Sequence, residues 1–124
     1  MKRHNLDLGR IKYSEKELEK YIHLFESLDW IYISEYQKLS EQFLEKYQDK
    51  VDWEEVSCCQ VLSEKFIEKH SDKVNWNDIS WSQKLSENFI KKYINKINID
   101  FLMQNENISE KTKKEIKILK EIIQ

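Results

Sequence analysis

Residues 39–53 read LSEQFLEKYQDKVDW, and the same phrase returns twice, each time at an offset of 23 residues. The second copy is LSEKFIEKHSDKVNW at residues 62–76, and the third is LSENFIKKYINKINI at residues 85–99. No residue is inserted or deleted between the copies. A fixed period of this length is typical of folds in which one small structural unit is stacked on the next.

The composition and the local signals indicate that the repeated unit is helical. The chain of 124 residues has no proline and one glycine, whereas sheets need turn residues in number. Asp52 is a typical helix N-cap, and Glu55 three residues later completes a capping-box pattern. Ser63 supplies a second N-cap, and Phe66 and Ile67 follow it on a buried stripe. Each unit is therefore predicted to be two short helices, which need neighbouring units for stability.

A set of framework positions recurs in every unit and predicts a shared core. These positions are Trp30, Trp53 and Trp76; Ile33, Val56 and Ile79; Leu39, Leu62 and Leu85; Phe43, Phe66 and Phe89; Leu44, Ile67 and Ile90; and Val51, Val74 and Ile97. Gln37, Gln60 and Gln83 also recur, each at the end of the first helix of its unit. A buried amide at this place can satisfy the backbone groups of the corner.

The two ends of the chain depart from the repeat, as the terminal units of a stack do. Ser14 and Glu17 form a capping box that predicts a longer N-terminal helix. Its inner face would carry Leu18, Tyr21, Ile22, Phe25 and Leu28. Ser109 predicts the start of a final helix. The apolar face of that helix would consist of Ile116, Leu119, Ile122 and Ile123.

We predict an all-α protein, a compact α-solenoid-like stack of two-helix repeats of 23 residues with helical caps at both ends. The stack is expected to be a single domain, 1–124. Its parts are an N-terminal cap at 1–28, repeats at 29–51, 52–74 and 75–97, and a degenerate repeat with a C-terminal cap helix at 98–124.

Charge and hydropathy argue against two classes of partner. The net charge is −2, the middle repeat is acidic and only the third repeat is basic, so nucleic-acid binding is disfavoured. That alternative would use Lys2, Arg3, Arg10 and Lys12 with the third repeat. No apolar run is long enough to cross a bilayer, so no membrane contact is expected.

The spacing of the cysteines bears on the redox compartment and on metal binding. The absence of catalytic motifs bears on enzymatic activity. Cys58 and Cys59 are adjacent and cannot join distant elements, which predicts a reducing, cytoplasmic setting. Because no second Cys/His pair stands at ligand spacing, we expect no metal and no cofactor. A glycine-rich phosphate loop is also missing from the sequence. We therefore expect no enzymatic activity.

Positions that differ between the units are free to bind a partner, because the framework positions already account for the core. Stacking would place the variable positions of the first helices in adjacent rows on one surface. Large aromatic residues are favoured interface anchors, and acidic residues among them indicate a partner with a basic surface. The predicted partner-binding residues are Tyr32, Glu35, Tyr36, Glu55, Cys59, Asp78 and Trp81. The alternative for Trp81 is packing on the preceding unit.

The motif LSExFIEKYxDKVDW, with DWxxIS ahead of the next LSE, resembles short repeats in uncharacterised proteins of low-GC bacteria, their phages and giant viruses. The resemblance covers residues 29–97 well and implies no catalytic residues. It implies a phage-borne or mobile protein, a class often made of stoichiometric inhibitors of host machinery, including CRISPR nucleases. The leading hypothesis is a non-enzymatic protein-protein interaction module of this kind.

A homodimer is the third hypothesis, beside the protein-binding module and the nucleic-acid-binding protein. The final helix is apolar enough to serve as a dimer face as well as a cap. That face would consist of Ile116, Leu119 and Ile123.

Overall fold

A computed structural model describes residues 4–123, which form helices without any strand. The nine α-helices are α1 (Glu15–Lys20), α2 (Ser27–Tyr36), α3 (Glu41–Lys46), α4 (Trp53–Cys59), α5 (Glu64–Lys69), α6 (Trp76–Ser82), α7 (Glu87–Lys92), α8 (Ile99–Met103) and α9 (Glu110–Ile123). A 3-10 turn, Ile22–Leu24, lies between α1 and α2. The predicted all-α class is confirmed. Across the described residues, no helix combines the length and the apolar character needed to cross a bilayer.

The chain divides into two compact units, the first ending at Gln60 and the second beginning at Val61. The repeat at 52–74 therefore contributes α4 to the first unit and α5 to the second. Within the first unit, α2 packs against α4. Within the second unit, α6 packs against α8, and α9 contacts both α7 and α8. The first helices of consecutive repeats are thus neighbours in each unit.

The predicted helix caps are present in the repeats. The Asp52 carboxylate accepts a hydrogen bond from the backbone N–H of Glu55 at 3.0 Å, and the Ser63 hydroxyl accepts one from Phe66 at 3.2 Å. Equivalent side-chain caps stand at Ser40, Asn75, Ser86 and Asn98. In helices of five to seven residues the unpaired terminal N–H groups are a large fraction of the backbone. These caps therefore decide where each helix begins.

The core consists of the aliphatic and phenylalanine framework positions, all of which are buried. Each of these aliphatic side chains contributes roughly 1.5–3 kcal/mol when it leaves water. The tryptophans also stabilise the corner before their own helix. The indole N–H of Trp53 donates to the carbonyl of Gln48, and that of Trp76 donates to the carbonyl of Ser71, both at 2.9 Å.

The buried amide of Gln60 connects its repeat to the preceding one. Its Nε2 donates to the carbonyl oxygens of Ser34 and Gln37 at 2.8 and 2.6 Å. Its Oε1 accepts a hydrogen bond from the backbone N–H of Leu39 at 3.0 Å. All three partners lie around the end of α2, where the carbonyl groups have no intrahelical partner. The expected role of the recurring glutamine is confirmed.

The same connection is made at the other repeat ends. Gln37 donates to the carbonyls of Leu8 and Ile11, and Gln83 accepts from the N–H of Leu62. In the degenerate repeat the role passes to Asn105, whose Nδ2 donates to the carbonyls of Ser80 and Gln83, both at 2.8 Å. The sequence pattern did not reveal Asn105, because it stands one residue before the position that the period predicts.

A second recurring polar residue, the serine at Ser34, Ser57 and Ser80, is fully buried. The hydroxyl of Ser34 accepts from the backbone N–H of Asp52, and that of Ser80 accepts from Asn98, both at 2.9 Å. Ser34 and Ser80 therefore each bind the N-cap residue of the next repeat. Their spacing of 23 residues was visible in the sequence, but sequence reasoning did not single them out.

The predicted longer N-terminal helix is wrong. Helix α1 ends at Lys20 with Tyr21 as its C-cap, and Leu28 is 59% exposed rather than on an inner face. The reason is a second capping box, in which Glu26 and Asp29 start α2 anew. Local capping therefore breaks the helix that the apolar stripe suggested.

The predicted apolar face of the final helix is also partly wrong. Ile116 is fully buried, so it belongs to the core and not to a surface. Ile122 and Ile123 are exposed, although a cap helix was expected to cover the end of the stack with them; Leu119 is half-buried, and Ile118 is exposed as well. Helix α9 packs on α7 and α8 through one side, which divides its apolar residues between core and solvent.

Replacing Gln60 with leucine should destabilise the protein by about 3 kcal/mol, because buried backbone groups of Ser34, Gln37 and Leu39 lose their partner. The free energy of unfolding, measured by urea titration with circular dichroism, tests this. Gln42→Leu is the matched control, since Gln42 is exposed on α3 and its loss should cost no more than about 0.5 kcal/mol. Equal stability of the two variants would contradict the role of the amide.

Candidate partner-binding site

Six side chains of the first unit form one surface, which we call the α2–α4 face. Tyr32, Glu35 and Tyr36 lie on α2. Glu55, Cys58 and Cys59 lie on α4. Spacings of three and four residues keep each trio on one side of its helix, and the buried Ile33 and Val56 hold the opposite side. Because α2 packs against α4, the two trios are adjacent.

The two tyrosines supply an exposed aromatic pair. Each is 40% exposed, and their ring centroids are 6.1 Å apart. Both rings line a groove of about 540 Å³ between α2 and residues 6–10, with Leu28 on the same wall. The carbonyl of Tyr36 accepts a hydrogen bond from Lys12, which attaches the N-terminal segment to the end of α2.

Burial and neighbouring carboxylates raise the pKa values of groups on this face. The charge of Glu35 raises the pKa of the Tyr36 phenol above its ordinary value. Burial raises the pKa of the Glu55 carboxyl, and the charges of Glu35 and Asp52 raise it further. Each added negative charge on the face is opposed by those already present. The face is therefore suited to a positively charged partner.

The two thiols lie inside this acidic field. Their sulfur atoms are 2.7 Å apart, and the Cys59 thiol donates to the Glu55 carboxylate at 3.8 Å. Burial raises the pKa of Cys59 to about 12, and Cys58, Glu55 and Glu35 add to the effect. A reactive cysteine needs the opposite shift. The environment of Cys59 is therefore unlike that of a catalytic nucleophile.

Five of the seven predicted site residues are thus brought together, with Cys58 as an addition. Asp78 and Trp81 lie on α6 in the second unit. Trp81 is 47% exposed and borders a shallow groove with Gln104 and Asn107. That these two residues share one surface with the α2–α4 face stays a prediction.

Two basic residues of the nucleic-acid alternative are engaged by other groups of the chain. Lys2 and Arg3 lie outside the described part of the chain. Lys12 is engaged by the carbonyl of Tyr36. In the third repeat, Lys92 pairs with Glu68.

The fold and this face define the class of protein: an all-α protein of short, amide-connected helices with an acidic, aromatic surface. Comparison of the chain with protein-family models, curated proteins and solved structures finds no match. The resemblance to repeat proteins of low-GC bacteria and their viruses therefore stays a prediction.

Removal of the Glu55 charge should increase the reactivity of Cys59. In a Cys58→Ser background, where Cys59 is the single thiol, Glu55→Gln should raise its alkylation rate by iodoacetamide roughly threefold at a fixed pH. A fall of half a pKa unit triples the thiolate fraction, and only the thiolate reacts. Mass spectrometry of the alkylated protein over time measures the rate. Glu121→Gln, an exposed change on α9, is the control, and equal rates in both variants would contradict the electrostatic account.

Proposed function

We propose that the protein is a non-enzymatic protein-protein interaction module that binds a partner with a basic surface through the α2–α4 face. The observation that carries the proposal is the clustering of Tyr32, Tyr36, Glu35 and Glu55 on one exposed side of two packed helices. Exposed tyrosines are favoured interface anchors because they bury much apolar area with few rotatable bonds.

The groove beside the tyrosines supports this mode of binding. Its walls combine the apolar surface of Leu28 with the two phenol rings, and its volume of about 540 Å³ accommodates a large side chain of a partner. Asp7 and Asp29 line the groove beside Arg10. The charges of Glu35 and Glu55 act on Tyr36 in its wall, so acidic groups are available to an arginine or lysine. One anchored side chain with a charged rim is a common arrangement in specific interfaces.

We also propose that the 23-residue repeats stack as an α-solenoid. Support comes from contacts that recur within each unit. Gln60 bonds the carbonyls of Ser34 and Gln37 in the first unit, and Asn105 bonds those of Ser80 and Gln83 in the second. In such a stack, Asp78 and Trp81 would extend the binding surface beyond the α2–α4 face.

The biological role we propose is that of a phage-borne or mobile-element-encoded inhibitor of a host protein, for example a CRISPR nuclease. Two observations support the choice. The sequence motif resembles repeats found in low-GC bacteria and their viruses, and the acidic face suits a basic groove that normally holds nucleic acid. A stoichiometric inhibitor acts by occupying such a groove and needs no catalytic residue. Its partner would lose activity at one chain per binding site.

Tyr32→Ala combined with Tyr36→Ala should weaken partner binding roughly thirtyfold, the cost of about 2 kcal/mol that interface anchors carry. The immobilised chain is used to capture proteins from its host, and quantitative mass spectrometry compares the variants. Lys38→Ala with Gln42→Ala, exposed changes elsewhere in the first unit, is the control.

If the control retains a partner that the tyrosine variant loses, the α2–α4 face is supported as the binding surface. Both variants must keep the wild-type helical circular dichroism signal. A partner captured equally by both variants would show that another surface binds it. Trp81→Ala, measured in parallel, reports whether the second unit takes part.

A homodimer through α9 is a second candidate, favoured by the exposure of Ile118, Ile122 and Ile123 at 51%, 72% and 49%. Ile118 and Ile122 are four residues apart and lie on one side of the helix, whereas Ile123 follows the buried Ile116 by two turns and is exposed at the helix end. Two such apolar stripes could cover each other in a symmetric contact.

Ile118→Glu with Ile122→Glu should convert a dimer of this kind to a monomer, because each dimer would bury four added carboxylates. Sedimentation velocity over a concentration series measures the change. Lys114→Glu with Lys117→Glu, at exposed positions of the same helix, is the control for charge. A wild-type chain that sediments as a monomer at every concentration would eliminate the dimer.

A further inference from the structure

Two thiols and one carboxylate converge on the exposed side of α4. The sulfur atoms of Cys58 and Cys59 are 2.7 Å apart, and the sulfur of Cys59 is 3.8 Å from Oε2 of Glu55. One ligand atom from each of the three residues lies within 4.8 Å of the others. Among the described residues, Glu55, Cys58 and Cys59 are the three His, Cys, Asp or Glu side chains whose ligand atoms are close enough to share a metal ion.

The distances between the three ligand atoms fit a small cation after a small movement of one side chain. At a zinc–sulfur distance of about 2.3 Å, two sulfur ligands of a tetrahedral ion lie roughly 3.8 Å apart. The two sulfur atoms must therefore separate by about 1 Å, which rotation of one exposed side chain can supply. The contact between Cys59 and Glu55 already has the required length. Glu55 and Cys59 face each other because they are one helical turn apart.

The surrounding charge favours a cation at this place. Glu35 of α2 acts on both Glu55 and Cys59, and Asp52 adds to the field at Glu55. A divalent ion would neutralise part of this negative charge.

We propose that Cys58, Cys59 and Glu55 bind one thiophilic divalent cation of the zinc group through two sulfur atoms and one carboxylate oxygen. On binding, each thiol gives its proton to solvent, so the two thiolates and the carboxylate surround the ion. The fourth position of a tetrahedral ion remains open to water, as it does in zinc sites with three protein ligands. The site shares Glu55 and Cys59 with the α2–α4 face but requires no residue from a protein partner.

The test is a titration of the reduced, chelator-treated full chain with Cd²⁺, followed by the sulfur-to-metal charge-transfer absorption and by calorimetry. One ion should bind per chain. Cys58→Ser and Cys59→Ser should each lower the affinity by more than about 100-fold, since loss of a mere outer-shell partner already costs 10–100-fold. Glu55→Gln should lower it by at least about tenfold, because it removes the negative oxygen ligand.

Glu54→Gln is the matched control, because it removes the same charge from an exposed neighbour on α4 without removing a ligand. Equal affinity of Glu55→Gln and Glu54→Gln would overturn the proposed ligand set. One ion shared by two chains, or unchanged binding in either cysteine variant, would also overturn it.

A measurement on the unaltered chain makes the test independent of variant folding. Bound Cd²⁺ should protect both thiols from alkylation, and undiminished alkylation of Cys58 or Cys59 at saturating Cd²⁺ would overturn the site. Because no protein partner is present in these experiments, their failure leaves the proposed protein-binding function untouched.

Discussion

The buried carboxamide at the end of the first helix of a repeat is the interaction on which the rest of the structure depends. Helices of six or seven residues are not stable alone in water, and their terminal carbonyl groups lack intrahelical partners. Gln60 supplies those partners for the repeat before it, through the carbonyls of Ser34 and Gln37. The 52–74 repeat thereby pairs the terminal carbonyls of the repeat before it, and the apolar side chains of the first unit can pack without leaving these buried polar groups unpaired.

Once the framework holds the helices, the outward side of α2 and α4 is available for other chemistry. This side collects carboxylates, thiols and tyrosines, and the pKa values of Tyr36, Glu55 and Cys59 are all raised there. Such shifts mark unfavourable electrostatic energy in the isolated chain, which a basic partner or a cation relieves. The two proposals for the α2–α4 face rest on different geometry, the exposed tyrosine pair and the convergence of two thiols on Glu55, and the negative charge favours both.

The success of sequence reasoning varied with the range of the interaction concerned. Caps such as Asp52 and Ser63 were predicted, because a cap joins residues only three positions apart. The period predicted the aliphatic and phenylalanine positions of the core, whereas Trp53 and Trp76 are only half-buried, and the buried Leu8, Leu102 and Ile108 lie outside the predicted framework. The end of α1 at Lys20 was missed because the apolar stripe continues past it. The helix ends there because a second capping box at Glu26 starts α2. Asn105 was missed because its shorter side chain acts from a position that the period does not select.

The sequence by itself determined the repeated unit: its length, its two capped helices, its buried framework and the short list of residues that depart from the pattern. These follow from local hydrogen bonding and from the period that a comparison of the three copies reveals. Only the tertiary structure decided which of the residues that depart from the pattern lie next to each other. Tyr36 and Cys59 are 23 residues apart in the chain, and their surfaces adjoin because α2 packs against α4. It also placed Glu55 against Cys59 and Ile116 inside the core, because burial and charge depend on the neighbours that packing provides.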